Sequence, residues 1–315
     1  MPGTFRSAWH VITDIFSRLS KENVRTQSEW LWGVKEKPIR ALVLSGGGGR
    51  GAYGCGVYKY MEEVGLAPDI LVGTSIGAIN AAAIASGKTA RDLEAAWLST
   101  RTRDVQRFWR LRPWRAIYDT SPWTRTLHRF IDFDALARTE KRLLITATEV
   151  EKGDLRIFDN REIEITPAHV LASCSIPLVY PWTRIGDHHY WDGAVMANTP
   201  LSAAIDAGAD EIYVVLLSPV GERYISPPRW PWQAFAVMLD LALSATFEND
   251  IKQLERINQL VAQQIDERHR YIRCRVIVPS REIGLLQILR YDPRTSRELI
   301  DLGYQDARQA LGEGN

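Results

Sequence analysis

Ser75 stands between two glycines in "GTSIGAINAAAIASG" (73–87), ahead of a run of small and apolar residues. Gly73-x-Ser75-x-Gly77 is the pattern of a strand that turns sharply into a helix with a serine at the corner. Glycines on both sides remove the Cβ atoms that would collide in such a turn. The hydroxyl then projects at a helix N-terminus, whose dipole favours developing negative charge. A serine held this way can attack an acyl carbonyl. It can also be a plain helix N-cap in a small-residue turn, and the segment alone leaves both readings open.

A second glycine cluster lies upstream in "LSGGGGRGAYG" (44–54). Gly46-x-Gly48-x-x-Gly51 fits the dinucleotide-binding fingerprint, in which backbone amides at a helix N-terminus hold a pyrophosphate. The same geometry serves an oxyanion hole, because glycine amides unshielded by side chains can converge on a negative oxygen. Gly49 completes the run, and Arg50 supplies a cation or a brace. A flexible turn is the plain alternative, although four glycines in a row cost backbone entropy. The serine corner bears on the choice: a dinucleotide site has no use for it, whereas an acyl-transfer site needs both parts.

A serine hydroxyl is a weak nucleophile until a base takes its proton. The candidate base is Asp192 in "YWDGAVMANTP" (190–200), 192 − 75 = 117 residues beyond the serine. Gly193 and Ala194 follow it and let the chain turn away. Taken alone, Asp-Gly is an ordinary turn.

Together, "GGGGRG" (46–51), "GTSIG" (73–77) and "DGA" (192–194) resemble the patatin-like phospholipase family, whose pattern is a Gly-rich loop, then G-x-S-x-G, then D-G-[AG]. The likeness extends through "ATEVEKGDLRIFD" and "ASCSIPLVYPWTRIGDHHYWDGAVMANTP" and covers roughly 39–217. It implies a three-layer α/β/α sandwich with a mostly parallel sheet. It also implies a Ser75–Asp192 dyad without histidine and an oxyanion hole from the amides of Gly46, Gly47 and Gly48. No cofactor and no metal is implied. A Ser–His–Asp triad is the mechanistic rival: His269 follows Asp192 in "DERHRY", and His188 and His189 precede it on its own strand.

The elements around these residues alternate. "IRALVL", "DILVGT", "EIYVVLLS" and "RCRVIVPS" read as apolar strands, and "RLLITATEV" with "DLRIFD" as a strand pair turning at Lys152-Gly153. Helices are expected over 51–65 and 75–86, after Thr166-Pro167, after Thr199-Pro200, and in "TSRELIDLGYQDARQAL", where Thr295 and Glu298 are spaced as a capping box. Strand–helix alternation with β-rich apolar runs argues for an α/β layered fold. Residues 1–38 form an amphipathic helical arm in this reading, and 39–315 the catalytic domain. Within that domain the core covers 39–217, with an insertion at 100–140 and a helical extension at 218–315.

Composition excludes some partners. The chain has 315 residues and a formal net charge of +1, so no overall field draws it to nucleic acid. Three scattered cysteines, Cys55, Cys174 and Cys274, form neither a C-x-x-C pair nor an even set. A reducing, cytoplasmic location is therefore expected. No stretch reaches the ~18 clean apolar residues of a membrane span. The nearest, 230–247, is broken by Pro231, Gln233 and Asp240. The segment 101–138 carries nine Arg against four Asp, with Trp109, Trp114 and Trp123 interleaved. Trp230 and Trp232 recur in 225–247. Trp at a lipid–water boundary with Arg facing phosphates makes a peripheral membrane surface. The expected activity is hydrolysis of acyl esters of phospholipids or lysophospholipids. A lipid-binding scaffold without chemistry and a Rossmann-type nucleotide enzyme remain as alternatives.

Overall fold

A computed structural model describes residues 37–108, 116–217, 250–265 and 271–312, with isolated residues between 227 and 247. The arm at 1–36, Trp109, Trp114, most of 225–247 and His269 lie outside the described residues.

One eight-stranded sheet organises the chain. Its strands are β1 (Arg40–Leu44), β2 (Ile70–Thr74), β5 (Arg142–Glu149), β6 (Asp154–Asp159), β7 (Thr183–Ile185), β8 (His188–Asp192), β9 (Glu211–Val215) and β10 (Arg273–Ile277). The short strands β3 (Arg107–Phe108) and β4 (Tyr118–Asp119) form a separate hairpin. β10, β9, β1, β2 and β5 lie side by side and parallel. β6, β8 and β7 join antiparallel. The turn at Lys152-Gly153 closes β5 onto β6 as the sequence suggests.

The two sides of the sheet are separated by the period-2 alternation of strand side chains. Leu42, Leu44, Leu71, Leu143, Ile145, Tyr213 and Val215 enter one apolar cluster. Ala41, Val43, Ile70, Val72, Leu144, Ile212 and Val214 enter the other. Strands apolar on both faces must be covered on both, and a three-layer sandwich results. The first cluster is roofed by helices Ala52–Glu63, Ile76–Ala85, Ala90–Ser99 and Pro293–Gly312. The second is covered by helix Leu201–Asp206 and by Phe247 and Leu254, the latter in a helical stretch over 250–262. Helix Ile76–Ala85 is made of small and apolar residues apart from Asn80, and all ten of its residues are buried.

Three sequence expectations are corrected. The last helix starts at Pro293, not at Thr295, because Asp292 Oδ1 accepts the Thr295 N–H (2.9 Å) and caps an earlier start. The helix after Thr199-Pro200 begins at Leu201, with Pro200 outside it. Trp123 is not an interfacial residue: it is buried against Phe130 and Tyr291, with ring centroids 6.3 and 5.9 Å away.

Residues beyond 218 supply β10 and a layer of the main core. The last helix lies directly on Ala52–Glu63, and a Cβ on Gly303 would stand 2.1 Å from the Tyr53 carbonyl oxygen. Tyr53 donates its hydroxyl to Asp306 (3.1 Å) across the same contact. Gly303→Val is expected to cost about 3 kcal/mol through this clash, read as a lower midpoint in urea unfolding.

Candidate active site

Register brings Ser75 and Asp192 together. β6 occupies one edge of β5 over Leu144–Glu149, so β2 and β8 must share the other. β2 runs up that edge and ends with Thr74 opposite Thr146. β8 runs down it and ends with Asp192 opposite Ala147. Thr146 and Ala147 are consecutive, one strand step of about 3.3 Å apart. Two strands thus finish head to head, and the serine and the aspartate leave the edge at the same place.

Each end turns away at once. Ser75 has φ 56° and ψ −126°, a backbone conformation rarely adopted by a side-chain-bearing residue. Helix Ile76–Ala85 starts at the next residue. Gly73 and Gly77 permit the corner: a Cβ on Gly77 would lie 2.0 Å from the Leu44 carbonyl oxygen, and one on Gly73 would lie 2.5 Å from Gly77. At the other end Asp192 caps the short turn Gly193–Val195, with its Oδ1 accepting the Ala194 N–H at 2.9 Å. Thr148 donates its hydroxyl to the Asp192 carbonyl (3.0 Å), and Thr74 and Thr146 share a hydroxyl hydrogen bond (2.6 Å) beneath the pair.

Ser75 and Asp192 are both buried where the two strand ends meet. Burial pushes the Asp192 carboxyl up to about 7, only partly opposed by the nearby Ser75 side chain and the bond from the Ala194 N–H. Its proton affinity therefore lies near neutrality, where a general base is most effective. Cys174 also reaches Ser75, but burial pushes its thiol well above the ordinary range, so it remains a neutral SH.

The glycine loop follows β1 and packs beside the corner. A Cβ on Gly46 would come within 3.1 Å of Ser75 Cβ. Of the three glycines named from sequence, Gly46 has its amide occupied, donating to the Asn198 carbonyl (3.2 Å). Gly48 has φ +58°, and the Ile288 carbonyl oxygen sits 1.9 Å from where its Cβ would be. No side chain fits there. Arg50 is buried and donates Nη1 to the Leu217 carbonyl (3.4 Å), which makes it a brace of the loop. Asn80 Nδ2 donates to the Gly51 carbonyl (2.8 Å) and fixes the loop to the serine's helix.

His188 and His189 do not face Ser75. They face Glu149 (3.1 Å) and Glu151 (2.6 Å), at the end of β8 away from Asp192. Glu149, Glu151 and His188 offer ligand atoms within 4.8 Å of one another. Lys152 Nζ already lies 2.9 Å from Glu149 Oε1, balancing that charge. Sequence reading missed Ser173, Cys174 and Asn198, which crowd the serine. They are ordinary small polar residues in "ASCSIP" and "MANTP", and nothing in their pattern marks them.

The profile of the patatin-like phospholipase family matches residues 42–205, more than half of the chain and the part that contains the glycine loop, Ser75 and Asp192. The chain belongs to this family, and by that membership is a lipid ester hydrolase. It is 25% identical to an Escherichia coli protein described as a cGAMP-activated phospholipase, over 62% of this chain and 68% of that one. It is 26% identical to human patatin-like phospholipase domain-containing protein 6, over 56% of this chain but only 13% of that much longer protein. Among solved structures, VipD from Legionella pneumophila aligns over 88% of this chain and 67% of its own at 14% identity, with a TM-score of 0.47. The nucleotide-binding alternative is set aside by the family membership.

The raised carboxyl makes a signed expectation. The folded value of Asp192 lies above its usual 3.8, so its burial is costless below about pH 4 and destabilises increasingly up to about pH 7. Asp192→Asn should therefore be more stable than the parent at pH 8, by on the order of a few kcal/mol. The difference should vanish near pH 4 in paired thermal-unfolding scans.

Proposed function

We propose that this chain hydrolyses acyl esters of phospholipids or lysophospholipids through a Ser75–Asp192 dyad. Ser75 Oγ attacks the acyl carbonyl while Asp192 takes its proton. The tetrahedral oxyanion lies against the amides of Gly47 and Gly48. Collapse expels the lipid alcohol, which takes the proton back from Asp192, and leaves an acyl group on Ser75. Water activated by Asp192 then releases the fatty acid. The single observation that carries this reading is the burial of Ser75 and Asp192 together at abutting strand ends. The step needs no metal or cofactor.

A lipid-surface contact beside the dyad is part of the reading. Val195 and Met196 directly follow the Asp192 turn and are exposed. The segment before β7 arrives at the same end of β8, since Thr183 pairs with Tyr190, and it exposes Leu178. The β3–β4 hairpin is fixed alongside, with Ile117 N–H donating to the Leu178 carbonyl (3.1 Å), and it exposes Ile117 and Phe108. Leu178 and Phe108 are 69% and 66% exposed, a large apolar area for a water-facing surface. Arg107 and Arg184 stand exposed on these segments, paired with Asp119 (2.6 Å) and Asp187 (3.1 Å), and phosphate headgroups would compete for them.

Three outcomes are expected. Ser75→Ala and Asp192→Asn each abolish release of fatty acid from phosphatidylcholine and lysophosphatidylcholine, with rates down at least about a thousandfold. A fluorophosphonate probe labels the parent at Ser75 and not the Ser75→Ala variant; full activity in that variant would refute the dyad. kcat/KM rises with pH and levels off above about 7, because only the ionised Asp192 accepts a proton. For the surface, Phe108→Asp with Leu178→Asp is expected to lower cosedimentation with phosphatidylglycerol vesicles severalfold.

A further inference from the structure

Abutting strand ends do not by themselves hold two reacting side chains at a fixed separation. β2 and β8 each pair with β5, but neither pairs with the other across the gap. Ser75 has left the ladder, so its N–H has no strand partner, and with the residue 5% exposed water is a poor substitute. That N–H donates instead to Ser173 Oγ at 2.8 Å. Ser173 is fully buried and is the last residue of helix Pro167–Ser173. Two residues on, the Ser175 carbonyl accepts the N–H of Asp192 at 2.9 Å. Ser175 is itself anchored: its hydroxyl donates to the Leu171 carbonyl (2.9 Å) and lies 2.9 Å from Thr183 Oγ1.

We infer that the turn Ser173–Ser175 is the spacer that sets the separation of nucleophile and base, and that the Ser173 hydroxyl is a positioning group acting through the Ser75 amide. The inference rests on the dyad reading above. One three-residue segment grips the backbone of both partners, at its first residue by a side chain and at its third by a carbonyl. The grip on Asp192 uses backbone and survives substitution. The grip on Ser75 depends on one hydroxyl, and removing it leaves a buried N–H unpaired at a strained residue. Ser75 then relaxes away from Asp192. The carboxyl loses the neighbouring Ser75 side chain that favours its ionised form, so its proton affinity rises.

The test compares Ser173→Ala, Ser173→Thr and the parent on p-nitrophenyl butanoate, with Ser75→Ala as the reference for the dyad. Ser173→Ala is expected to lower kcat 10- to 100-fold with KM changed less than about twofold. The acidic limb of kcat/KM should move to higher pH, and the rate of fluorophosphonate labelling should fall in parallel. Ser173→Thr keeps an acceptor oxygen and should recover most of kcat and the original limb. Thermal unfolding of each variant separates loss of fold from loss of alignment. The inference is overturned if Ser173→Ala matches the parent in kcat and limb. It is equally overturned if kcat falls while the limb stays in place and Thr gives no recovery, which marks a general structural defect. An active Ser75→Ala variant would overturn the dyad reading instead.

Discussion

The meeting of two strand ends on one edge of β5 is the constraint on which the site depends. Parallel β2 and antiparallel β8 approach from opposite directions and stop at adjacent β5 residues. Each must then turn out of the sheet, because the other occupies the edge ahead. The serine corner and the Asp-Gly turn are the two exits. A serine and an aspartate separated by 117 residues in sequence (192 − 75) become neighbours through hydrogen-bond register alone.

Burial then sets the chemistry. An aspartate in water is a poor base, too weakly basic to take a serine proton at useful rates. Here the carboxyl lies under the Asp192–Val195 turn and against Ser75, with few charges near enough to favour its ionised form. Desolvation raises its proton affinity towards neutrality at the expense of fold stability. The strained Ser75 backbone and the neutral Cys174 thiol belong to the same compact arrangement, in which most of the hydroxyls hydrogen bond to one another or to backbone.

The layers around the site hold these ends in place. Small residues in helix Ile76–Ala85 let it lie close to the sheet, so the corner is rigid. Asn80 ties that helix to the glycine loop and also accepts from Trp97 Nε1 (3.1 Å). The segment Gln287–Arg290 lies against the other side of the loop, and the last helix covers the layer behind it. Chain distant in sequence from the motifs is therefore part of what keeps the loop's backbone in place. Leu178, Val195 and Met196 are exposed near the end of β8 that carries Asp192.

The local vocabulary of the fold was legible in sequence. Apolar alternation marked the strands, Gly87, Gly153 and Gly208 marked stops and turns, and the three glycine-bearing motifs named Ser75, Asp192 and the loop. These signals are local: periodicity and turn chemistry depend on residues a few positions apart. Long-range packing decided the rest. It buried Trp123 in the core, where aromatic content alone suggested a surface, and it engaged the Gly46 amide with Asn198. It paired His188 and His189 with glutamates, and it brought Ser173 and Ser175 against the backbone of Ser75 and Asp192. A hydrogen bond between residues about a hundred positions apart leaves no spacing to read, because only the register of the sheet determines which groups face one another.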